Sequence, residues 1–197
     1  MRIDKTFFQR DALTVAEELL GHYLIRNVNG TKIVTKIVET EAYCGAKDKG
    51  CHAFGNKRTG RTEAMFSAGG HAYIYLIYGM YHCLNVVAEK EGNPHAVLIR
   101  AVEPVEGLSF IKENRPGILK DKDLTNGPGK LTKALSIDMK LNRYDIVTGN
   151  ELYIGFNSSP QKFTVVSAKR VNIDYAAEYK DKLWRKYIKD NKFVSVK

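Results

Sequence analysis

The sequence is poor in cysteine, and its three cysteines form no CxxC pair. Cys44, Cys51 and Cys83 are an odd number without a standard spacing, which is typical of free thiols in a reducing compartment. A zinc site that recruits these cysteines and His52 is an alternative, but the spacing matches no standard zinc motif. We therefore expect neither a disulfide framework nor a metal.

The sequence also lacks long apolar runs. No stretch approaches the roughly 20 apolar residues that cross a bilayer. The N-terminal segment, MRIDKTFFQRD, has no apolar signal core. We therefore expect a cytoplasmic protein without a membrane partner, associated with the nucleoid if its source is bacterial.

Acidic residues are scarce relative to basic ones. The 197-residue chain carries 31 lysines and arginines against 22 aspartates and glutamates, which gives a formal net charge of +9. Residues 151–197 hold 10 of the basic side chains and 5 of the acidic ones. This surplus favours a polyanionic partner: nucleic acid, an acidic membrane surface or an acidic protein.

Chain length and local patterns predict one α+β domain over residues 1–197, built around an antiparallel sheet. Asp11 is a predicted N-cap for a helix through LTVAEELL, and Asn29-Gly30 is a strong hairpin signal between two strand-like runs. Further strands are predicted near 72–78, 82–88, 95–104, 151–155 and 163–171, and further helices near 103–115 and 130–137. Residues 45–71 are glycine-rich and polar, which indicates a functional or a disordered segment.

The stretch YIYLIYGMYHCLN, residues 73–85, concentrates four of the chain's 11 tyrosines within nine residues. Gly79-Met80 fits a two-residue hairpin loop, which would place Tyr78 opposite Tyr81. The two rings then either cover an edge of the core or form a wedge that enters DNA between base pairs. Tyr73 and Tyr75 share a strand face and either pack in the core, as we expect for Tyr73, or offer a stacking platform to a planar base.

Glu39, Glu41 and Tyr43 lie on one face of an extended strand, because side chains alternate with period two. Two carboxylates beside an aromatic ring are found in glycosidic-bond cleavage, while a solvated edge strand with ordinary acids is the alternative. Arg100 interrupts the apolar strand AVLIRAVEP. It needs a strand end or a carboxylate partner, and Glu39 or Glu41 is the predicted partner.

Three further polar features have two interpretations each. His52, in the glycine-rich segment, is a surface residue or a site residue. Asn85 follows the tyrosine-rich stretch, and a buried Asn there needs hydrogen-bond partners or lines a pocket. NGPGK, residues 126–130, exposes backbone amides that attract phosphate or is a plain helix start, and it lacks the full triphosphate-binding pattern.

Taken together, these motifs resemble the 3-methyladenine DNA glycosylases of the alkyladenine type. The matching segments span nearly the whole chain: IVETEAY at 37–43, the Asp48–His52 loop, RTEAMF at 61–66, YIYLIYGMYHCLNVV at 73–87, VLIRAVEP at 97–104, NGPGKLTKALSI at 126–137 and FVSV at 193–196. The resemblance implies a single α+β domain with a curved antiparallel sheet, peripheral helices and a protruding aromatic hairpin. The hairpin is expected to enter the minor groove and flip a damaged nucleotide out of the duplex.

The resemblance also implies a role for each candidate residue. Tyr78 fills the vacated space in the duplex. Glu41 is the general base that activates water, and Arg100 positions Glu41 and that water. The flipped base stacks on Tyr43 on one face and on His52 and Tyr75 on the other, the His52 backbone amide donates to the base edge, and Asn85 refuses the exocyclic amine of normal guanine.

The implied reaction is hydrolysis of the bond between a damaged purine and its deoxyribose. The implied substrates are 3-methyladenine, 7-methylguanine, hypoxanthine and ethenoadenine in double-stranded DNA. Neither a lysine nucleophile nor a metal or other cofactor is implied, and we expect a monomer. The alternatives are an RNA-directed enzyme and a non-catalytic protein that distorts DNA; the second does not account for Glu41 beside Tyr43.

The candidate residues conflict with a regular hairpin. A two-residue loop pairs Tyr75 with Leu84 and turns Asn85 away from Tyr75. If Tyr75 and Asn85 line one pocket, the turn must contain an extra residue or a bulge. Two departures from relatives are also present: Gly50-Cys51 where two alanines are common, and His82 where some have phenylalanine.

Overall fold

Eight strands and four α-helices form the regular structure of residues 1–158 and 162–196, the part of the chain that the computed structural model describes. The strands are β1 (Tyr23–Val28), β2 (Thr31–Tyr43), β3 (Ala72–Ile77), β4 (Tyr81–Ala88), β5 (His95–Glu106), β6 (Leu152–Gly155), β7 (Val165–Ala168) and β8 (Arg185–Ile188). The helices are α1 (Lys5–Phe8), α2 (Ala12–Glu18), α3 (Leu108–Glu113) and α4 (Pro128–Ala134). Short 3-10 segments lie at Gly45–Lys47, Phe54–Asn56, Glu63–Phe66, Asp121–Asp123, Met139–Leu141 and Asp174–Asp181.

The strands form one antiparallel sheet in the order β3-β4-β5-β2-β1-β6, with β8 paired to β2 and β7 paired to β8. The sheet curls into a half-barrel, and α2 packs on β2 and β5 while α4 packs on β4 and β5. This single α+β domain agrees with the predicted fold class. The predicted boundaries 1–197 include residues 159–161 and 197, which lie outside the described residues.

Strand β2 is the centre of the sheet. It pairs with β5 along one edge and with β1 and then β8 along the other. Register shifts on both sides of Glu39 mark a bulge in its pairing with β5. Every side chain from residue 37 to residue 42 is buried, so the alternative of a solvated edge strand is wrong.

The two N-terminal predictions are confirmed. The Asp11 carboxylate accepts a hydrogen bond from the Thr14 amide at 3.0 Å and caps α2. Asn29 and Gly30 have φ angles of 49° and 75° in the two-residue turn between β1 and β2. Positive φ at both central residues matches the right-handed twist of the flanking strands.

The loop between β3 and β4 differs from the predicted two-residue turn. Ile77 pairs with Tyr81, so the loop has three residues, Tyr78, Gly79 and Met80. Tyr78 and Gly79 have φ angles of 53° and 68°, and the Met80 amide donates to the Ile77 carbonyl at 3.2 Å. The prediction of Gly79-Met80 as the turn, with Tyr78 opposite Tyr81, is therefore wrong, whereas the expected extra loop residue is confirmed.

The predicted helix at 103–115 begins five residues too early and ends two residues too late, since α3 spans Leu108–Glu113. Strand β5 continues to Glu106, because Glu106 pairs with Val34 of β2. Gly107, with φ of 81°, ends the strand, and α3 begins at Leu108. Tertiary pairing with β2 thus outweighs the local helical pattern.

Two clusters of buried apolar side chains stabilise the fold. The larger lies between the sheet and the helices, with Phe8, Ile37 and Ile99 among its fully buried members. The smaller lies beneath the 45–71 segment and includes Cys51 and Met65. That segment therefore folds over its own core, so the disordered alternative does not hold.

The three cysteines, Cys44, Cys51 and Cys83, are free thiols. Within residues 1–158 and 162–196, no three His, Cys, Asp or Glu side chains are arranged to hold a metal ion, so the zinc alternative has no structural support. No helix of the same ranges is long and apolar enough to cross a bilayer.

Candidate active site

A cavity of about 840 Å³ opens among β2, β3, β4, β5, the 50–52 loop, the start of α4 and the 171–175 segment. Six of the seven candidate residues line it, namely Tyr43, His52, Tyr75, Tyr78, Asn85 and Arg100. Glu41, the seventh, lies behind the wall formed by Tyr43 and Arg100. The sequence-based set is thus brought together in space, while the role of each residue stays a prediction.

Glu41 is fully buried and held by three donors. Its Oε1 accepts from the Val171 amide at 2.8 Å and lies 3.2 Å from Arg100 Nη1. Its Oε2 accepts from the Tyr43 hydroxyl at 2.8 Å. One donor occupies Oε2, so this oxygen retains a lone pair that another donor can use.

Arg100 lies between two buried carboxylates. Its Nε is 3.4 Å from Glu39 Oε1, in addition to the contact with Glu41. Burial disfavours its charge, but the attraction of Glu41 and Glu39 outweighs burial and raises the pKa of Arg100. The predicted pairing with Glu39 or Glu41 is confirmed, since Arg100 contacts both.

Glu39 has a separate set of partners that keep it in place. Arg185 Nη1 donates to Glu39 Oε1 at 2.8 Å, and the Ser195 amide donates to Oε2 at 2.7 Å. Ser195 Oγ also accepts from Arg100 at 3.3 Å. The chain end at 193–196 and β8 therefore hold the carboxylate that orients Arg100.

Four of the aromatic residues that line the cavity, Tyr43, Tyr73, Tyr75 and His52, lie in its inner wall. The Tyr73 and Tyr75 ring centroids are 5.4 Å apart, and His52 meets Tyr75 edge-on at 4.6 Å. Tyr73 is almost fully buried, as expected. Burial, assisted by Glu41, raises the pKa of Tyr43 well above its usual range, and burial and Cys83 raise the pKa of Tyr75. Both phenols are therefore protonated hydrogen-bond donors at neutral pH.

His52 is partly buried, and its ring makes two polar contacts. Nδ1 lies 2.8 Å from the Tyr73 hydroxyl, and Nε2 lies 3.4 Å from Arg61 Nη2. A guanidinium can only donate, so Nε2 is the acceptor and Nδ1 carries the proton. Burial and then the Arg61 charge lower the pKa of His52 to about 4, so His52 is neutral at pH 7. The alternative of a freely exposed loop histidine is wrong.

Asn85 lies on the same strand face as Tyr75. β3 and β4 pair Tyr73 with Asn85 and Tyr75 with Cys83, because the third loop residue shifts the register. The Asn85 side chain is 2% exposed, and its Nδ2 donates to the Tyr73 carbonyl at 3.1 Å. The remaining side-chain oxygen of Asn85 is thereby left as an acceptor at the cavity wall.

Sequence reasoning missed the buried pair of Arg170 and Asp48. Arg170 bonds both Asp48 oxygens, at 2.6 and 2.8 Å, and the Ala42 carbonyl at 3.0 Å. Its guanidinium also lies 4.7 Å from the Tyr43 ring centroid. The next residue, Val171, supplies the amide to Glu41. Arg170 follows a short strand, and the sequence around it does not indicate that it is buried. The resemblance of the Asp48–His52 loop to the family motif was therefore the only sequence signal for this pair.

The loop before α4 forms one rim of the cavity. Residues 127–130 line it, and Lys130 Nζ donates to Asn126 Oδ1 at 2.8 Å. A Cβ at Gly129 would lie 2.9 Å from Tyr81 Cβ and 3.0 Å from the Tyr81 ring, so the glycine permits the close contact between α4 and β4. Phosphate binding by this segment stays a prediction.

All three thiols are poor nucleophiles. Burial, with a contribution from Asp48, raises the pKa of Cys44 to about 12, and burial raises the pKa of Cys51 to about 12. Burial also raises the pKa of Cys83. Cys51 and Cys83 line the cavity as neutral thiols at pH 7.

Comparison with known proteins identifies the family of this chain. The methylpurine-DNA glycosylase family model matches residues 6–192. A protein of Natranaerobius thermophilus is 54% identical over 198 residues, covering 100% of both chains. One from Clostridium acetobutylicum is 52% identical over 205 residues, covering 100% of this chain and 98% of that protein. One from Borrelia garinii subsp. bavariensis is 51% identical over 194 residues, covering 98% and 99%.

Each of these relatives carries the name "Putative 3-methyladenine DNA glycosylase". The family match covers nearly the whole chain, and the relatives align with it from end to end. The chain therefore belongs to the methylpurine-DNA glycosylase family, and it is a hydrolase of N-glycosyl bonds.

Proposed function

We propose that the whole chain acts as one monofunctional DNA glycosylase domain that flips damaged purines from duplex DNA into the cavity and hydrolyses their N-glycosidic bond. The observation that carries the proposal is the placement of Glu41 behind an aromatic cavity, where the Tyr43 hydroxyl is the only group of the described residues bonded to Glu41 Oε2. A base stacked on Tyr43 would hold its sugar near this carboxylate.

Glu41 acts as the general base of the reaction. Its free Oε2 lone pair takes a proton from water, whose oxygen attacks the sugar carbon as the bond to the purine breaks. The bonding electrons leave with the base. Arg100 positions the Glu41 carboxylate, and the negative charge of Glu41 stabilises the oxocarbenium-like sugar.

The flipped base is held between rings. Tyr43 stacks on one face and Tyr75 and His52 on the other. The His52 backbone amide has no hydrogen-bond partner within residues 1–158 and 162–196, which supports its role as a donor to the base edge. Asn85 limits the cavity on the side that a guanine amine would approach.

Tyr78 at the loop of a protruding β3–β4 hairpin fills the space that the base vacates. Its side chain is 73% exposed, and it adopts a left-handed backbone conformation with φ of 53°. That conformation costs a bulky residue about 1–3 kcal/mol, and such strain concentrates at functional sites. An exposed ring on a strained loop suits an inserting residue better than a packing one.

The proposed substrates are 3-methyladenine, 7-methylguanine, hypoxanthine and ethenoadenine in duplex DNA, removed by a monomer at the start of base excision repair. The net charge of +9 supports binding to the phosphate backbone. Damaged bases pair or stack poorly, so they cost less to flip than normal ones.

The proposal is tested with duplexes that each contain one of these lesions. After incubation with the purified protein, hot alkali cleaves the strand at every abasic site. We expect cleavage at the lesion after alkali and none before it, since no lyase step is involved. Binding that bends the DNA without base release would contradict the proposal and favour a DNA-distorting protein.

A further inference from the structure

An arginine guanidinium group lies over each of two aromatic rings in the cavity wall. The Arg170 guanidinium lies 4.7 Å from the Tyr43 centroid, and that of Arg61 lies 5.1 Å from the Tyr75 centroid. Tyr43 and Tyr75 line the cavity, whereas both arginines lie outside its wall. Each ring therefore has a cation on it that a bound base would not displace.

The two arginines differ in charge compensation. Arg170 forms a two-point ion pair with Asp48 and is fully buried. Arg61 has no carboxylate within 4.0 Å among the described residues, and it meets the neutral His52 ring instead. The positive charge over Tyr75 is thus uncompensated, while that over Tyr43 is cancelled nearby.

A cation on one face of an aromatic ring weakens the attraction of that ring for a second cation. The ring quadrupole already interacts with the first charge, and the two charges also repel each other across the ring. A neutral base stacked on the same ring meets neither penalty. Within DNA, 3-methyladenine and 7-methylguanine are cationic, whereas hypoxanthine is neutral.

We propose that Arg61 is a specificity-determining residue. Its charge already interacts with the Tyr75 ring and therefore disfavours the binding of cationic purine lesions relative to neutral ones. This inference rests on the proposed function of the cavity. Burial and then the Arg61 charge lower the pKa of His52 to about 4, so His52 adds no second positive charge beside the same ring at neutral pH. In acid, replacement of Arg61 removes one positive charge but makes His52 easier to protonate, which adds another. The test is therefore run at pH 8, where His52 is neutral with or without Arg61.

The experiment compares Arg61→Gln with two controls. Arg61→Lys keeps the charge. Arg58→Gln removes a positive charge from the same loop that Glu63 compensates at 2.7 Å and that lies 4.9 Å from the centroid of Phe66, a ring outside the cavity wall. For each protein, single-turnover release of 3-methyladenine from methylated duplex DNA is divided by release of hypoxanthine.

In Arg61→Gln we expect this ratio to rise about three- to tenfold. This is the usual effect of removing one repulsive charge from a partly exposed site. Both control variants should keep the wild-type ratio. An unchanged ratio in Arg61→Gln, or an equal rise in Arg58→Gln, would overturn the inference while leaving the glycosylase assignment intact. A wild-type protein that releases neither base would overturn the proposed function and this inference with it.

Discussion

The two walls of the cavity are built in opposite ways. On the β2–β5 wall, Glu39 and Glu41 are fully buried, and every carboxylate oxygen has a donor. On the β3–β4 wall, Tyr78 and Met80 are 73% and 66% exposed, and β3 is an edge strand. One wall is fixed by surrounding structure, and the other ends in a loop that few contacts restrain.

The difference between the two walls suits two different tasks, catalysis in the buried wall and DNA recognition at the exposed loop. A general base must be held within a fraction of an ångström, and a central strand bonded on both edges provides that precision. An inserting side chain must instead leave the protein surface, which an exposed edge hairpin permits. Substitutions in the first wall should therefore change rate or stability, and substitutions in the second should change binding.

The largest expected effect is on catalysis by the buried wall. Glu41→Gln keeps the size of the side chain but removes its charge and basic lone pairs. Base release should fall by about 10²–10⁴-fold or more, because general-base assistance and charge stabilisation are both lost. Single-turnover rates and binding curves on one lesion duplex should show lost release with retained affinity.

The matched variant for this test is Glu39→Gln, in the same buried stretch of β2. Glu39 contacts Arg100 but has no direct contact with Tyr43 or the cavity. The Glu39→Gln substitution should reduce the rate less than Glu41→Gln. The reverse order would make Glu39 the base and contradict the assignment.

The second effect is on the stability of the buried wall. Asp48→Asn leaves the Arg170 charge buried without its partner, which typically costs about 3–5 kcal/mol. Thermal unfolding should therefore begin at a clearly lower temperature. Asp181→Asn is the control: it breaks an exposed 2.6 Å pair with Lys169 and should leave the melting temperature nearly unchanged.

The third effect tests the hairpin wall. Tyr78→Ser removes the ring that is proposed to insert into the duplex and should weaken lesion binding roughly tenfold, in line with the loss of one aromatic stacking contact. Tyr78→Gly should weaken binding similarly but raise stability, since the relief of about 1–3 kcal/mol of backbone strain exceeds the cost of about 0.4–1 kcal/mol for a more flexible unfolded chain. A fluorescent base reporter that shows unchanged flipping in both variants would assign Tyr78 to packing.

The fourth effect is smaller and concerns selectivity. Asn85→Ala should enlarge the cavity beside the guanine amine and raise release of undamaged guanine by a few-fold to about tenfold, the usual scale for a small steric change. Release of free guanine from unmodified duplex is the measurement. An unaltered background would show that Asn85 does not exclude guanine.

The smallest expected effect is the loss of stability at acidic pH that His52 causes. Burial and Arg61 lower the pKa of His52 to about 4, below the usual 6.5, so the unfolded chain takes up this proton first. The contribution of neutral His52 to the free energy of unfolding is fully present above about pH 6.5, and it is lost as the pH falls towards 4. His52→Gln should show a smaller drop in melting temperature between about pH 7.5 and pH 5 than the wild type, and an identical drop would contradict the shifted pKa.

Local sequence signals predicted those parts of the fold that local forces determine. The Asn29-Gly30 turn and the Asp11 cap depend on backbone conformation and on hydrogen bonds within a few residues. The β3–β4 loop was misplaced by one residue, because Tyr78 adopts a conformation that a tyrosine rarely takes in isolation. Strand β8 was not predicted, since its four residues are positioned by pairing with β2.

The site follows the same division. The period-two alternation of a strand is sufficient to group Glu39, Glu41 and Tyr43. The Arg170–Asp48 pair joins residues 122 apart in sequence, and no spacing rule reaches that far. Likewise, the exposure of Tyr78 and the contact of Arg61 with Tyr75 depend on tertiary packing around the cavity, which no local pattern encodes.

The buried thiols have a consequence for chemical durability. The reagents that alkylate purines also attack thiolates, and cysteine is among the most nucleophilic side chains in a cell. With a pKa of about 12, Cys44 and Cys51 are thiolates in only about one molecule in 10⁵ at pH 7. Their low thiolate fraction thus protects these two side chains from the reagents that alkylate purines.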